Sequence, residues 1–398
     1  MRDDDVVARI ETLSDRLRPG SALQGRFRLT IDDVQRDVVV SKSTCRVGGA
    51  RGRPDAEIIT DSATWRLIDR GRISGIEAFA NRRLLVRGGI EKSLHFEPAF
   101  ERPDAGAMRY TLDLVDTGST RMSVLVAGDP DAEPLMLVHG LGATKASWLT
   151  IVPQLARRYR VIALDLPGFG ASSKPRGRYD APWFAHHVLA LMDAFGHDAA
   201  HVAGNSMGGR IAQEMAMSKP DRVRSIACLC PATAFSRRPL LLLARLARAE
   251  AGVLVSRLPR GPIRDSVRQM FADPASVEDA WFDAAVEDFL QVWRSPLARF
   301  AFFAAARHIY LEEPDGETGF WARLADMRVP AFYVFGAQDQ LIAARSGLEV
   351  TKALPSARVE VWRNCGHVPQ VEMPDRTARA LLGFFGSNAG EARSTEAV

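Results

Sequence analysis

Long apolar runs are missing from these 398 residues, and such runs as Leu240 to Ala244 fall far short of the ~20 residues that span a bilayer. No transmembrane segment is expected, and peripheral membrane contact is left open. Nor is charge of one sign concentrated anywhere: 52 Lys and Arg stand interleaved with 48 Asp and Glu, for a net +4. With no basic block, nucleic acid is not an expected partner. Arginine greatly outnumbers lysine, which reads as compositional bias. Cysteine is scarce, and Cys45, Cys228, Cys230 and Cys365 show neither metal-ligand spacing nor a dense disulfide pattern. Cys228 and Cys230 alternate on a run that reads as a buried strand, so they are expected to be core thiols. The N-terminal MRDDDVVARIE lacks the charged-then-apolar layout of a secretory signal. A reducing, cytoplasmic location fits all of these absences.

What is present is ordinary globular composition, 46% hydrophobic and 25% charged, in a chain long enough for two domains with sizeable cores. Residues 1–105 read as a small α+β domain. A helical period over Val6–Leu17 ends at Pro19-Gly20, and strand-like runs follow at Leu23–Ile31, Val38–Val40 and Glu57–Thr60. Ser62–Arg70 reads as a helix that Asp61 can cap, Ile73–Asn81 as another, and Leu84–Val86 as a last strand. This stretch has no paired His and carboxylate and no Gly-rich phosphate loop. Residues 98–110, rich in Pro, Gly and charge, read as a linker.

Beyond the linker short apolar strands alternate with helices. Strands are expected on both sides of Asp116-Thr117-Gly118, then at Leu135–Val138 and Tyr159–Leu164, with helices at Trp148–Ala156 and Asp180–Phe195. That alternation indicates a parallel α/β sheet with right-handed crossovers. The stretch His201–Pro220 organises it. Ala199–Ala203 is a buried strand, Gly204-Asn205-Ser206-Met207-Gly208-Gly209 a sharp turn, and Ile211, Ala212, Met215 and Ala216 recur at helical spacing. Strand, strained turn and helix is the context that turns G-x-S-x-G into an exposed nucleophile. After one more strand, Val223–Leu229, residues 234–323 become helical and rich in large apolar groups, Leu240–Leu243, Phe282, Trp293, Phe302 and Phe303 among them, with Arg237, Arg238, Arg245 and Arg248 interleaved. They read as an apolar cap, most of whose aromatics are ordinary packing. Strands resume at Ala331–Phe335 and Arg358–Trp362, a helix over Asp375–Phe385 closes the domain (106–388), and 389–398 is expected to be a disordered tail.

Three residues fall at the C-terminal ends of these strands, where open α/β sheets hold their sites: Ser206, Asp339 in GAQDQ and His367 in NCGHVP. A serine hydroxyl needs an imidazole to take its proton, and the imidazole needs a carboxylate to fix its tautomer. Asp326 precedes its strand, Asp315 lies in a turn, and the other histidines fall in helices, at a strand start or in the cap. An oxyanion hole is expected from the backbone N–H groups of Met207 and of Leu141 in His139-Gly140-Leu141-Gly142. His139 is taken as structural, and Asp165-Leu166-Pro167-Gly168 as a turn without chemistry.

HGLG, DLPGFG, GNSMGG, GAQD and GHVPQVEMP together resemble the α/β-hydrolase superfamily over roughly residues 108–387. The resemblance implies Ser206 as nucleophile, His367 as base, Asp339 as its orienting acid, and no metal or organic cofactor. PDAEIITDSATWRLIDRG and IEAFANRRLLVRGG, following an apolar strand pair, resemble the sterol carrier protein family. That implies an apolar tunnel lined by residues such as Phe27, Trp65, Ile76 and Phe79, although simple core packing explains them equally well. The expectation is an α/β-hydrolase fold with a helical cap behind a sterol carrier-like α+β domain. Its substrate would be a carboxylic ester with an apolar, acyl or sterol-like part. GNSMGG also occurs in carbon–carbon bond hydrolases of ring-cleavage products, but those usually carry an aromatic residue after the histidine, where this chain has Val368. A non-catalytic lipid carrier is the remaining alternative. Oligomeric state is not legible.

Overall fold

The computed structural model describes residues 3–233 and 249–388. They form two compact units, Met1–Leu112 with Ala275–Gln291, and Asp113–Pro274 with Val292–Val398. The first unit thus takes in a stretch that lies, in sequence, inside the expected cap.

The first unit is built on a five-stranded sheet: β1 (Gly25–Ile31), β2 (Val34–Ser41), β3 (Thr44–Gly49), β4 (Ala56–Thr60) and β5 (Leu84–Gly88), in the order β3-β2-β1-β4-β5. Only the β1–β4 pair is parallel. Alternation makes one face of this sheet apolar: Phe27, Leu29 and Ile31 of β1 are fully buried, as is Val38 of β2. α2 (Ser62–Asp69) begins where expected because the Asp61 carboxylate accepts from Thr64 N at 2.7 Å. α3 (Gly75–Ala80) is fixed by a capping box between Ser74 and Glu77. Phe27, Trp65 and Ile76 lie in the core, Phe79 is half-buried, and Phe27 packs its ring 5.4 Å from that of Phe96. The helix expected over Val6–Leu17 is shorter: α1 (Asp3–Glu11) gives way to a 3₁₀ turn over Thr12–Asp15. β3 and the helix α4 (Ile90–Leu94) were not anticipated.

The second unit carries an eight-stranded sheet. Its strands are β6 (Tyr110–Asp116), β7 (Arg121–Ala127), β8 (Pro134–Val138), β9 (Arg160–Leu164), β10 (Ala200–Asn205), β11 (Val223–Leu229), β12 (Ala331–Gly336) and β13 (Arg358–Trp362), in the order β13-β12-β11-β10-β8-β9-β7-β6. From β9 to β13 every pairing is parallel, while β7 joins β9 antiparallel. β8, β10 and β12 are buried along their whole length, as parallel strands covered on both faces must be. Helices α6 (Ala181–Ala194) and α7 (Met207–Ser218) supply Phe184, Val188, Leu191, Ile211 and Met215 to the same core. The expected helix over Trp148–Ala156 is instead a 3₁₀ turn, Lys145–Trp148, followed by the short α5 (Val152–Leu155). Pro153, which lacks an N–H, fits only the first turn of that helix.

Within this unit the described part of the cap contains helices Ala249–Gly252, Arg260–Arg268, Pro296–Leu311 and Phe320–Ala325. Arg299 ties it together, its guanidinium donating to Val253 O at 3.0 Å and to Trp293 O at 2.9 Å. The Leu240–Leu243 run and Arg237, Arg238, Arg245 and Arg248 fall outside the described residues, as does the tail 389–398. The closing helix runs further than expected, Pro374–Asn388. Among the described residues no helix is long and apolar enough to cross a membrane. Cys228 and Cys230 are both fully buried free thiols.

Candidate active site

Ser206 joins β10 to α7 with φ 54° and ψ −117°, a backbone conformation that L-residues rarely adopt. Its neighbours explain how the turn closes. A Cβ on Gly204 would collide with the Gly208 backbone, and one on Gly208 with the carbonyl of Val138 at the end of β8. The strain is held from both sides: Ser206 N donates to Leu229 O at 2.9 Å, and Ser206 O accepts from Ala232 N at 3.0 Å.

Against this turn lies the loop after β8. A Cβ on Gly140 would stand 3.2 Å from that of Ser206, so the HGLG segment passes in direct contact with the serine. His139 is buried beneath it, one ring nitrogen on Gly140 O (2.7 Å) and the other accepting from Leu166 N (3.0 Å). Burial lowers its pKa and keeps the ring neutral, as a structural pin requires. Among the described residues, neither Leu141 N nor Met207 N donates to a protein acceptor.

Asp339 follows β12 and His367 follows β13, and the structure brings the two together, His367 Nδ1 to Asp339 Oδ2 at 2.8 Å. Asp339 is itself oriented, its other oxygen accepting from Leu341 N (2.8 Å) and Ile342 N (2.9 Å). The His367 backbone is clamped too: its N–H reaches Met270 O at 2.6 Å. Glu372 accepts from Gly366 N (2.9 Å) and Ala272 N (2.8 Å), fastening the histidine loop to residues 270–272. Burial raises the Glu372 pKa, opposed by those N–H donors.

Ser206 enters this arrangement through its neighbour. The buried Asn205 amide donates to Leu229 O at 3.0 Å and to His367 O at 2.9 Å. Among the described residues no hydrogen bond joins the Ser206 hydroxyl to the His367 ring, and such bonds often tighten only with substrate bound. Nothing in the sequence marks Asn205 or Glu372 for these roles, because neither carries a periodicity or spacing signal.

Cys230, Asp339 and His367 offer donor atoms within 4.8 Å of one another, a conceivable metal trio. Two features oppose that use. Nδ1 of the histidine is already committed to Asp339, and burial pushes the Cys230 thiol well above its ordinary pKa, keeping it protonated.

A mostly parallel sheet carrying a strained serine between strand and helix, with an Asp–His pair at the ends of two later strands, defines an α/β hydrolase. The alpha/beta hydrolase fold family model matches residues 133–374. The chain belongs to that family; it is a hydrolytic enzyme with an N-terminal domain of the SCP-2 sterol transfer family, matched over residues 9–101. One relative is the dihydrolipoyllysine-residue acetyltransferase component of the acetoin cleaving system of Pseudomonas putida, 33% identical over 65% of this chain. The match spans only 65% of that protein's length. Another is the pimeloyl-[acyl-carrier protein] methyl ester esterase of Aeromonas hydrophila, 28% identical over 67% of this chain and 100% of its own. Among solved structures, 2-hydroxy-6-oxo-6-phenylhexa-2,4-dienoate hydrolase from Rhodococcus sp. strain RHA1 superposes with a TM-score of 0.58 at 27% identity, covering 70% of this chain and 99% of that one.

Proposed function

We propose that this chain is a serine hydrolase that cleaves a carboxylic ester with an apolar, acyl or sterol-like part through an acyl-enzyme on Ser206. The reading rests foremost on the 2.8 Å pair of His367 and Asp339 at the strand ends. The strained serine and the unpaired N–H groups of Met207 and Leu141 support it. His367 Nε2 takes the hydroxyl proton as Ser206 Oγ attacks the ester carbonyl, and Asp339 stabilises the imidazolium. The negative charge that develops on the carbonyl oxygen is met by the two backbone N–H groups, worth roughly 3 kcal/mol each in the transition state. The alcohol leaves with the proton from Nε2. A water, deprotonated by the same nitrogen, then frees the acid and restores the serine. No cofactor enters these steps.

The ester reading draws on the esterase relative, and its apolar preference on the SCP-2 domain, whose Phe27, Trp65, Ile76 and Phe79 we assign to binding an apolar ligand. The buried free thiols fit a reducing, cytoplasmic setting. A second reading, hydrolysis of a carbon–carbon bond in a ring-cleavage product, is favoured by the Rhodococcus structure. Val368 in place of an aromatic residue argues against it. Turnover of p-nitrophenyl esters from C2 to C16, beside a 2-hydroxy-6-oxo dienoate, separates the two. The ester reading requires Ser206-dependent turnover that rises with acyl length, and turnover of the dienoate alone would overturn it.

A further inference from the structure

The segment that leaves β11 reaches all three residues of the site. Leu229 O and Ala232 N hold the Ser206 backbone from its two sides, at 2.9 and 3.0 Å. Between them Cys230 adopts φ 45°, a left-handed conformation that is costly for a residue with a side chain. Its N–H donates to Val334 O at 2.7 Å, which carries the pairing with β12 one residue past the end of β11. Strain held this firmly fixes where the thiol stands.

Cys230 is fully buried, and its Sγ lies within 4.8 Å of a carboxylate oxygen of Asp339 and of a ring nitrogen of His367. Burial, together with the Asp339 carboxylate beside it, holds the thiol well above its ordinary pKa, so it remains an S–H donor. It donates to Gly366 O at 3.5 Å, the carbonyl of the peptide whose nitrogen belongs to His367. That carbonyl is enclosed: a Cβ on Gly336, at the end of β12, would stand 2.0 Å from it. Among the described residues its other donor is the neighbouring Cys365 thiol, at 3.7 Å. Enclosed carbonyls that lose their donors are destabilising, because water cannot replace them. The steps proposed above give Cys230 no part.

We propose that Cys230 is a positioning residue for the His367–Asp339 pair. Its thiol supports the Gly366–His367 peptide and fills the space beside the carboxylate. Nδ1 thereby stays on Asp339 while the ring takes up and returns a proton. Cys230 acts through the histidine loop and not on the reacting atoms. The proposal rests on the triad reading of Ser206, His367 and Asp339.

The test is the rate at which a fluorophosphonate labels Ser206 in the full chain, followed by intact mass over a range of reagent concentrations. It requires no choice of ester. Cys230→Ala should lower the maximal labelling rate roughly 3- to 10-fold, the worth of one hydrogen bond, with the half-saturating concentration unchanged. Cys230→Gly, which removes the thiol and relieves the left-handed strain, is the companion variant and should lose as much. Cys230→Ser, which keeps a donor at the position, should recover most of the rate. A thiol that merely fills the core would lower the thermal midpoint of the alanine variant and leave labelling unchanged. Equal labelling of the wild type and the Ala and Gly variants, or a loss that serine does not recover, overturns the proposal alone. A wild type that takes up no label contradicts the triad reading, and the proposal with it.

Discussion

The Asn205 side chain donates to the backbone carbonyl of His367 at 2.9 Å, so the residue before the serine holds the loop of the histidine. Two strand-end loops that are 162 residues apart in sequence are thereby fixed to each other through a buried amide. The second donation, to Leu229 O, ties that amide to β11 as well. Serine and imidazole are positioned by backbone and amide geometry before any substrate arrives, which is what proximity effects demand.

Asn205→Ala should therefore lower kcat while leaving the fold intact. Leaving His367 O and Leu229 O without their donor costs about 1–3 kcal/mol, or roughly 5- to 150-fold in rate if it is expressed as misplacement of the imidazole. Ester kinetics with a KM-against-kcat split check this. A merely structural amide would lower the melting temperature and leave kcat unchanged.

Asp339→Asn should cost far more. An amide in place of the carboxylate cannot stabilise the imidazolium and favours the wrong tautomer, a change worth about 10⁴-fold in kcat where such a triad operates. Steady-state turnover at saturating ester measures it.

The Lys145 ammonium and the Asp165 carboxylate meet at 2.9 Å, both fully buried. Lys145 also reaches Ser123 Oγ at 3.1 Å, and Asp165 accepts from Lys145 N and Ala171 N. Lys145→Met strands a buried carboxylate and should destabilise the hydrolase unit by about 3–5 kcal/mol, whereas Lys145→Met with Asp165→Asn together should lose less. Urea denaturation of the two variants makes the comparison.

Acid and neutral pH should act oppositely on the two units. Burial pushes His187 and His201 each down to about 4 and lowers His139, all from an ordinary 6.5. Depressed histidines contribute stability that is fully present above pH 6.5 and lost as pH falls, for His187 and His201 through about 4 and on the order of 1–3 kcal/mol each. In the first unit burial raises Glu97 to about 7 despite its ion pair with Arg102. Its contribution is fully present below about 4.5 and lost as pH rises through about 7. Calorimetry between pH 4 and 7.5 should show the hydrolase unit gaining with pH, with Glu97→Gln removing an opposing trend in the other.

Most of the fold was legible because its strands and helices announce themselves by period. The change from a buried run at Ala200–Asn205 to helical spacing in α7 located the serine, and strand ends located Asp339 and His367. What escaped notice lacks such a pattern. β3 is an edge strand with no buried residue in Thr44–Gly49, so no alternation marks it. α4 is five residues long, too short to show a repeat. Asp165 looked like a turn residue because its partner, Lys145, is twenty positions away. Asn205, Glu372 and Arg210 act through long-range contacts to His367, Ala272 and Glu312, and no local spacing encodes those.

The most direct test of the central claim is trapping. Full-length protein is quenched during turnover of a p-nitrophenyl ester, and its intact mass and peptide map are recorded. The account predicts an added acyl mass on the peptide containing Ser206, released on standing, and absent from Ser206→Ala, which also loses turnover. Acylation elsewhere, or ester turnover undiminished in Ser206→Ala, would contradict it.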